Sequence, residues 1–168
     1  MTVLEIITYP AEILAKEASP VTALNENIRQ LIKDMADTMY AKMGIGLAAV
    51  QVGSDSRIVV YDISEDREPQ NYQVVVNPEI VETRGTYLSE KEGCLSVPEL
   101  RTDVKRHEVI RVEGLDADGN PVLIEARNLE AAVLQHEIDH LNGTLILDHA
   151  SALKRQMYKK KVKKHLKS

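Results

Sequence analysis

Residues 128–143 read Asn-Leu-Glu-Ala-Ala-Val-Leu-Gln-His-Glu-Ile-Asp-His-Leu-Asn-Gly. The stretch opens on Asn128, a good capping residue, and closes on Gly143, a residue type that ends helices. Leu129, Val133, His136 and His140 share one helical face, while Leu134, Ile138 and Leu141 cover much of another. A helix apolar on most sides belongs in an interior. Histidines at i and i+4 project from the same face, so His136 and His140 can reach one metal ion. Glu137, next to the first, places a carboxylate where it can take a proton from water at that ion. The segment predicts a buried central helix that carries chemistry.

Upstream, Ile28, Leu31, Ile32, Met35, Met39 and Met43 fall on one face of a helix predicted from Asn25 to Met43, with Gly44 as its stop. Short strand-like runs follow at 47–52, 57–62, 72–76, 80–86, 104–115 (with a break) and 121–126. Residues 116–120, Asp-Ala-Asp-Gly-Asn, read as a hairpin turn between the last two. A last helix runs from about Ala150 to Leu166, with Leu153, Met157, Val162 and Leu166 roughly on one side, and Leu153, Met157 and Val162 are expected to anchor its first part to the body. The order of helix, strands, helix, helix is that of an α+β protein. Antiparallel or mixed sheets are expected around the central buried helix, with a C-terminal helix. At 168 residues the expectation is one domain, 1–168, of which 150–168 is the basic C-terminal helix.

Two histidines do not complete a catalytic site, since a third protein ligand is needed. A downstream His at the spacing of one protease class is missing, because that position is Ile146. No Glu follows Glu137 to serve as in another class. Cys94, His107, Asp148, His149 and His165 remain. Asp148 and His149 could fold back from beyond the helix, and His165 lies in the basic tail. Cys94 is preferred: it follows Gly93, and a thiolate is a strong ligand that binding itself deprotonates. A third segment, Gly44-Ile45-Gly46-Leu47-Ala48-Ala49-Val50-Gln51, permits close backbone approach, and Gln51 could aim an amide at an oxyanion. It reads equally well as a helix end leading into a packed strand.

Gly-Ile-Gly-Leu-Ala-Ala-Val-Gln at 44–51, Glu-Gly-Cys-Leu-Ser at 92–96 and Gln-His-Glu-Ile-Asp-His-Leu-Asn-Gly at 135–143 together resemble the three signature motifs of the peptide deformylases. The resemblance spans nearly the whole chain and includes Ile6-Ile7-Thr8-Tyr9-Pro10. It is to the bacterial type with a basic C-terminal helix. It implies a metal-dependent hydrolase that removes the formyl group from the N-terminal formylmethionine of nascent polypeptides and releases formate. It implies Cys94, His136 and His140 as ligands of one divalent ion, Fe²⁺ in the cell, with Zn²⁺, Ni²⁺ or Co²⁺ able to substitute. It also implies Glu137 as general acid and base, and Gln51 and the Leu95 N–H as oxyanion donors. Ile45, Gly46 and Gly93 would pair with the extended substrate, Arg101 would lie near it, and Leu129, Ala132 and Val133 would wall the methionine pocket. Glu92 and Arg106 would form a supporting ion pair. Two positions depart from the pattern: Ala132 stands where bulkier aliphatics are frequent, and Glu90 where an apolar pocket residue often sits. Other functions fit parts of the pattern: a zinc peptidase, or a metal-stabilised ribosome- or RNA-binding protein without catalysis.

Composition narrows the field. Phe and Trp are absent, which argues against a stacking platform for single-stranded nucleic acid. No apolar run approaches the ~20 residues of a membrane span, and the first twenty residues lack a signal-peptide pattern. A cytoplasmic monomer without a membrane partner is expected. One cysteine excludes a disulfide within the chain. The net charge is −5, yet residues 153–167 carry eight basic residues and no acid, leaving −13 elsewhere. A basic tail on an acidic body is a partner signal, and the resemblance to bacterial deformylases implies that this helix docks on the ribosome, whose RNA phosphates attract Lys and Arg.

Overall fold

Strand β2 (Ile58–Tyr61) is buried at every position, so it has no solvent face. Successive side chains point opposite ways along a strand. Val59 and Tyr61 join an apolar cluster with helix α2 (Asn128–Leu141), and Ile58 and Val60 join a second with helix α1 (Glu26–Ala41). The strand is thus held between two helices. It belongs to a five-stranded sheet in the order β1 (Gly46–Ala48), β2, β3 (Gln73–Arg84), β6 (Val109–Leu115), β7 (Pro121–Arg127). A two-stranded hairpin, β4 (Tyr87–Cys94) and β5 (Val97–Arg106), stands apart from it. Short α3 (Ile146–His149) and α4 (Ala152–Leu166) follow α2. The computed structural model describes residues 1–167; Ser168, at which the expected domain and basic helix end, lies outside the described residues. The architecture is α+β, and every pairing between these strands is antiparallel.

Helix α2 lies where its sequence predicts, with nine residues buried, among them Leu134, Ile138 and Leu141. Its start differs in detail. Asn128 does not cap from outside; it is the first helical residue, at φ +51, and the cap position is Arg127. Gln135 pins the helix to the break between β5 and β6. Its Oε1 accepts from the His107 N–H at 2.8 Å, and its Nε2 donates to the His107 carbonyl at 2.9 Å. Helix α1 begins as expected, the Asn25 side chain accepting from the Ile28 N–H at 3.0 Å. It ends at Ala41. Met43, not Gly44, takes the left-handed conformation, at φ +57, and its side chain is exposed. Gly44 serves close packing instead: a Cβ there would stand 3.3 Å from the Leu95 side chain.

Sequence periodicity missed β4. Tyr-Leu-Ser-Glu-Lys-Glu-Gly-Cys is mostly polar and partly exposed along its length, so no alternation marks it. The runs at 72–76 and 80–86 are parts of one strand, β3, kept continuous through irregular register around Asn77 and Pro78. The run at 47–52 is strand only to Ala48; Ala49–Val52 forms a 3-10 turn.

A loop from Asp62 to Asn71 is tied down by one carboxylate. Asp62 is buried and accepts from Tyr40 Oη at 2.6 Å, from the Ser64 N–H at 2.9 Å and hydroxyl, and from the Asn71 N–H at 3.4 Å. Burial alone would raise its pKa, but these donors outweigh it and hold it at about 2. The folded-state pKa lies below the ordinary value, so the stabilisation is present above about pH 4 and is lost as pH falls towards 2. Asp62→Asn should cost about 1–3 kcal/mol at neutral pH. Its urea midpoint should converge with that of the parent protein in acid; a gap that persists at pH 2 would reject this account.

Candidate metal centre and active site

The cleft that holds the predicted site residues has a volume of about 590 Å³. One side is Ile45 and Gly46 at the edge strand β1, another is Gly93 and Cys94 of β4, and Leu129, Ala132, Val133 and His136 of α2 form a third. Gln51, Leu95, Arg101 and Glu137 line it too. His140 is not a lining residue; it lies beneath, 1% exposed. The structure therefore brings the sequence-predicted residues to one place.

At the cleft's inner end the donor atoms of Cys94, His136 and His140 lie within 4.8 Å of one another. The Cys94 Sγ is 3.2 Å from His140 Nε2. Among the described residues this is the group able to hold a metal ion. A thiolate and two imidazoles at this separation suit a divalent ion with bonds of about 2.0–2.3 Å. The other candidates are elsewhere. His107 Nδ1 faces the Gly85 carbonyl, Asp148 accepts from the Leu145 N–H, and His149 does fold back, but onto Asp139. His165 lies in α4.

Of the three donors, His136 is oriented by a carboxylate, whereas the buried Nδ1 of His140 has no hydrogen-bond partner. Glu92 Oε1 lies 3.2 Å from His136 Nδ1, which leaves Nε2 for the centre. Arg106, 4% exposed, closes its fork on Glu92 at 3.0 and 2.7 Å and reaches Asp139 at 2.7 Å through its third nitrogen. Burial pushes the Glu92 pKa up, but the bonds from His136 and Arg106 prevail and hold it at about 2. For His136, burial pushes down, while Cys94 and Glu92 push up further, to about 10. Cation uptake at this site must therefore displace a proton.

Glu137 is 4% exposed, and burial lifts its pKa to about 7. Its Oε1 is 4.0 Å from His136 Nε2, and its buried Oε2 has no hydrogen-bond partner. An unpartnered carboxylate oxygen beside three soft or borderline donors fits a hydrolytic metal centre. Gly46 makes room for it: a Cβ there would stand 2.8 Å from Glu137 Oε1 and 3.0 Å from Val133. Gln51 is also preset. The Ala48 N–H donates to its Oε1 at 3.0 Å, so its Nε2 faces the Ser96 hydroxyl at 3.1 Å and Cys94 Sγ at 3.6 Å.

Ser96 and Asp139 were not singled out in the sequence. Asp139, three residues after His136, could have been found from helical spacing; nothing local marks Ser96. Glu90 is exposed at the cleft, and Ala132 is buried in its wall.

A three-donor centre with an adjacent buried carboxylate, on a helix and a hairpin facing an edge strand, is the site of a mononuclear metallohydrolase. The comparisons agree on one such family. Residues 3–156 match the family model for polypeptide deformylase, and the chain belongs to that family. It is 62% identical to the peptide deformylase of Desulfosudis oleivorans, over 99% of this chain and 96% of the relative. It is 44% identical to that of Brucella suis, over 98% and 94%. The crystal structure of a Legionella pneumophila peptide deformylase superposes with a TM-score of 0.91 at 44% identity, covering 99% of this chain and 96% of that one. An Ehrlichia chaffeensis peptide deformylase solved in complex with actinonin superposes with a TM-score of 0.91 at 41% identity, covering both chains fully.

Proposed function

We propose that this protein hydrolyses the formyl group from the N-terminal formylmethionine of nascent polypeptides and releases formate. The observation that carries the reading is the meeting of Cys94, His136, His140 and buried Glu137 at the inner end of one cleft, in a chain of the deformylase family. The first three would hold one divalent ion, Fe²⁺ in the cell, with Zn²⁺, Ni²⁺ or Co²⁺ as substitutes. When bound, such an ion supplies Lewis acidity and lowers the pKa of water at the site towards 7.

Glu137 takes a proton from the water that attacks the formyl carbon. The same carboxyl must hold the proton and then release it to the departing nitrogen, and its buried place beside His136 lets it face both. As the C–N bond breaks, Glu137 gives that proton to the leaving nitrogen, so a free amine and formic acid form, and the acid ionises to formate by losing its proton to the amine or to solvent. Charge on the formyl oxygen is met by Gln51 Nε2 and the Leu95 N–H, each worth about 3–4 kcal/mol in such sites. The Ala48 bond to Gln51 supports this reading, since it fixes which end of the amide faces inward. Ile45, Gly46 and Gly93 offer backbone to an extended peptide; β1 is an edge strand, so its outer side lacks a strand partner. Arg101 lies beside that path, packed on Gly93.

Leu129, Ala132 and Val133 wall the pocket for the methionine side chain. The small Ala132 leaves space, so longer unbranched side chains such as norleucine should be tolerated. Ala132→Ile should narrow that tolerance by about 1–3 kcal/mol of discrimination per methylene. An unchanged ratio of kcat/KM for formyl-methionyl and formyl-norleucyl peptides would remove Ala132 from the pocket.

The chain acts as one domain, 1–168, a monomer in the cytoplasm; no helix among the described residues is long and apolar enough to cross a membrane. Its basic helix serves docking to the ribosome. Of the three expected anchors, Val162 holds and Leu153 and Met157 do not. Leu153 and Met157 are 68% and 64% exposed, whereas Tyr158 is buried, Val162 packs on the core, and Tyr158 Oη donates to the Pro98 carbonyl at 3.0 Å. Tyr158 keeps the first half in place, so removing residues 159–168 should leave turnover of a free formylated tripeptide largely intact. Co-sedimentation with ribosomes should drop, and the parent's binding should weaken steeply with salt. Equal co-sedimentation of both proteins at low salt would reject docking.

The central test is formate release from formyl-Met-Ala-Ser by anaerobically purified protein, with metal analysis of the same sample. Stoichiometric metal without formate release would overturn the reading. Cleavage of an internal peptide bond instead would favour a peptidase.

A further inference from the structure

Asp139 sits between the two histidines in sequence and is not part of the cleft lining. Its Oδ2 is shared: Arg106 donates to it at 2.7 Å, and His149 Nε2 lies 3.0 Å away. His149 ends α3, so the chain doubles back onto the helix it has just left. From Asp139 the contacts run without a gap through Arg106 to Glu92 and on to His136 Nδ1, each at 2.7–3.2 Å. Glu92 is held from two sides, by Arg106 and by His136. Asp139 is partly exposed, and a carboxylate open to water swings unless a second group fixes it. His149 is that second group.

We infer that His149 is a positioning residue for His136, acting through Asp139, Arg106 and Glu92, and so sets how firmly the centre holds its ion. The inference rests on the ligand set proposed above. Partners one step outside a metal ligand typically change affinity by about 10–100-fold. His149 stands further along the chain, so a smaller effect is expected. A pair that merely stabilised the surface would shift thermal unfolding and leave metal retention alone.

The test is the rate at which Ni²⁺ passes from the loaded full-length protein to excess chelator. His149→Ala should release Ni²⁺ about 3–10-fold faster than the parent. His149→Gln keeps an N–H donor at a similar reach and should restore slow release; His149→Phe keeps the bulk without a donor and should not. In an Asp139→Ala background, already fast, His149→Ala should add nothing. A parental release rate in His149→Ala and His149→Phe would overturn the inference, as would an undiminished effect of His149→Ala in the Asp139→Ala background. Should the alanine variant fail to fold, the glutamine and phenylalanine variants decide between the same outcomes. Rapid loss from His136→Ala beside parental retention in His149→Ala would overturn this inference alone. Parental retention in His136→Ala would overturn the ligand set with it.

Discussion

Glu137→Ala is expected to keep its metal and lose activity by about 10²–10⁴-fold, the range that general acid–base catalysis supplies. Cys94, His136 and His140 remain in that variant, so metal content should stay near one per chain. The loss should be largest above the pKa of Glu137 and should shrink on the acid side. Glu137 must be ionised to accept the first proton, so parental kcat/KM falls as pH drops through its pKa. Burial puts that value near 7 without a cation, and a bound cation lowers it. The residual activity of Glu137→Ala should lack this acid limb. Near-parental turnover by a fully loaded Glu137→Ala protein would sink the assignment of Glu137 as the proton carrier.

Cys94→Ser is expected to bind metal much more weakly, and activity should fall with occupancy. A serine hydroxyl is far less acidic than a thiol and a harder donor, so the site loses its strongest ligand. Gln51 faces Cys94 Sγ and keeps its Ser96 bond, so the fold around the centre should survive. The parent loaded with Fe²⁺ should lose activity in air as metal and thiolate oxidise, and Ni²⁺ loading should slow that loss. Thiolate ligation is rejected by a Cys94→Ser protein that retains one tightly held ion and full activity.

Much of the site was legible because its chemistry is local in sequence. His136, Glu137 and His140 announce themselves by spacing on one helix, and the helix by its apolar faces. Cys94 was reachable by exclusion and by the chemistry of thiolates. Their supports were less visible. Arg106 reaches Asp139 across 33 residues of sequence, and His149 returns by a short helix whose four residues carry no periodicity. The fold shows the same division. α1 and α2 follow from periodicity, whereas β4 does not, because a hairpin with one polar face satisfies its backbone without an apolar stripe. Two of the three expected anchors of α4 were misread for a related reason. Leu153 and Met157 are the more apolar residues, but Tyr158 offers both a ring and a hydroxyl, and the hydroxyl finds the Pro98 carbonyl.

The contacts of α4 carry a consequence for the cleft. Lys154 donates to the Arg101 carbonyl, Tyr158 to the Pro98 carbonyl, and Lys161 pairs with Glu99. All three partners belong to one short stretch of β5, and all three line the cleft. Residues 98–101 thus meet the terminal helix on one side and the cleft on the other. If ordering of residues 98–101 from one side altered the other, equilibrium linkage would make the effect reciprocal. A cargo that grips the helix would tighten or loosen the hold on peptide, and bound peptide would return the same factor.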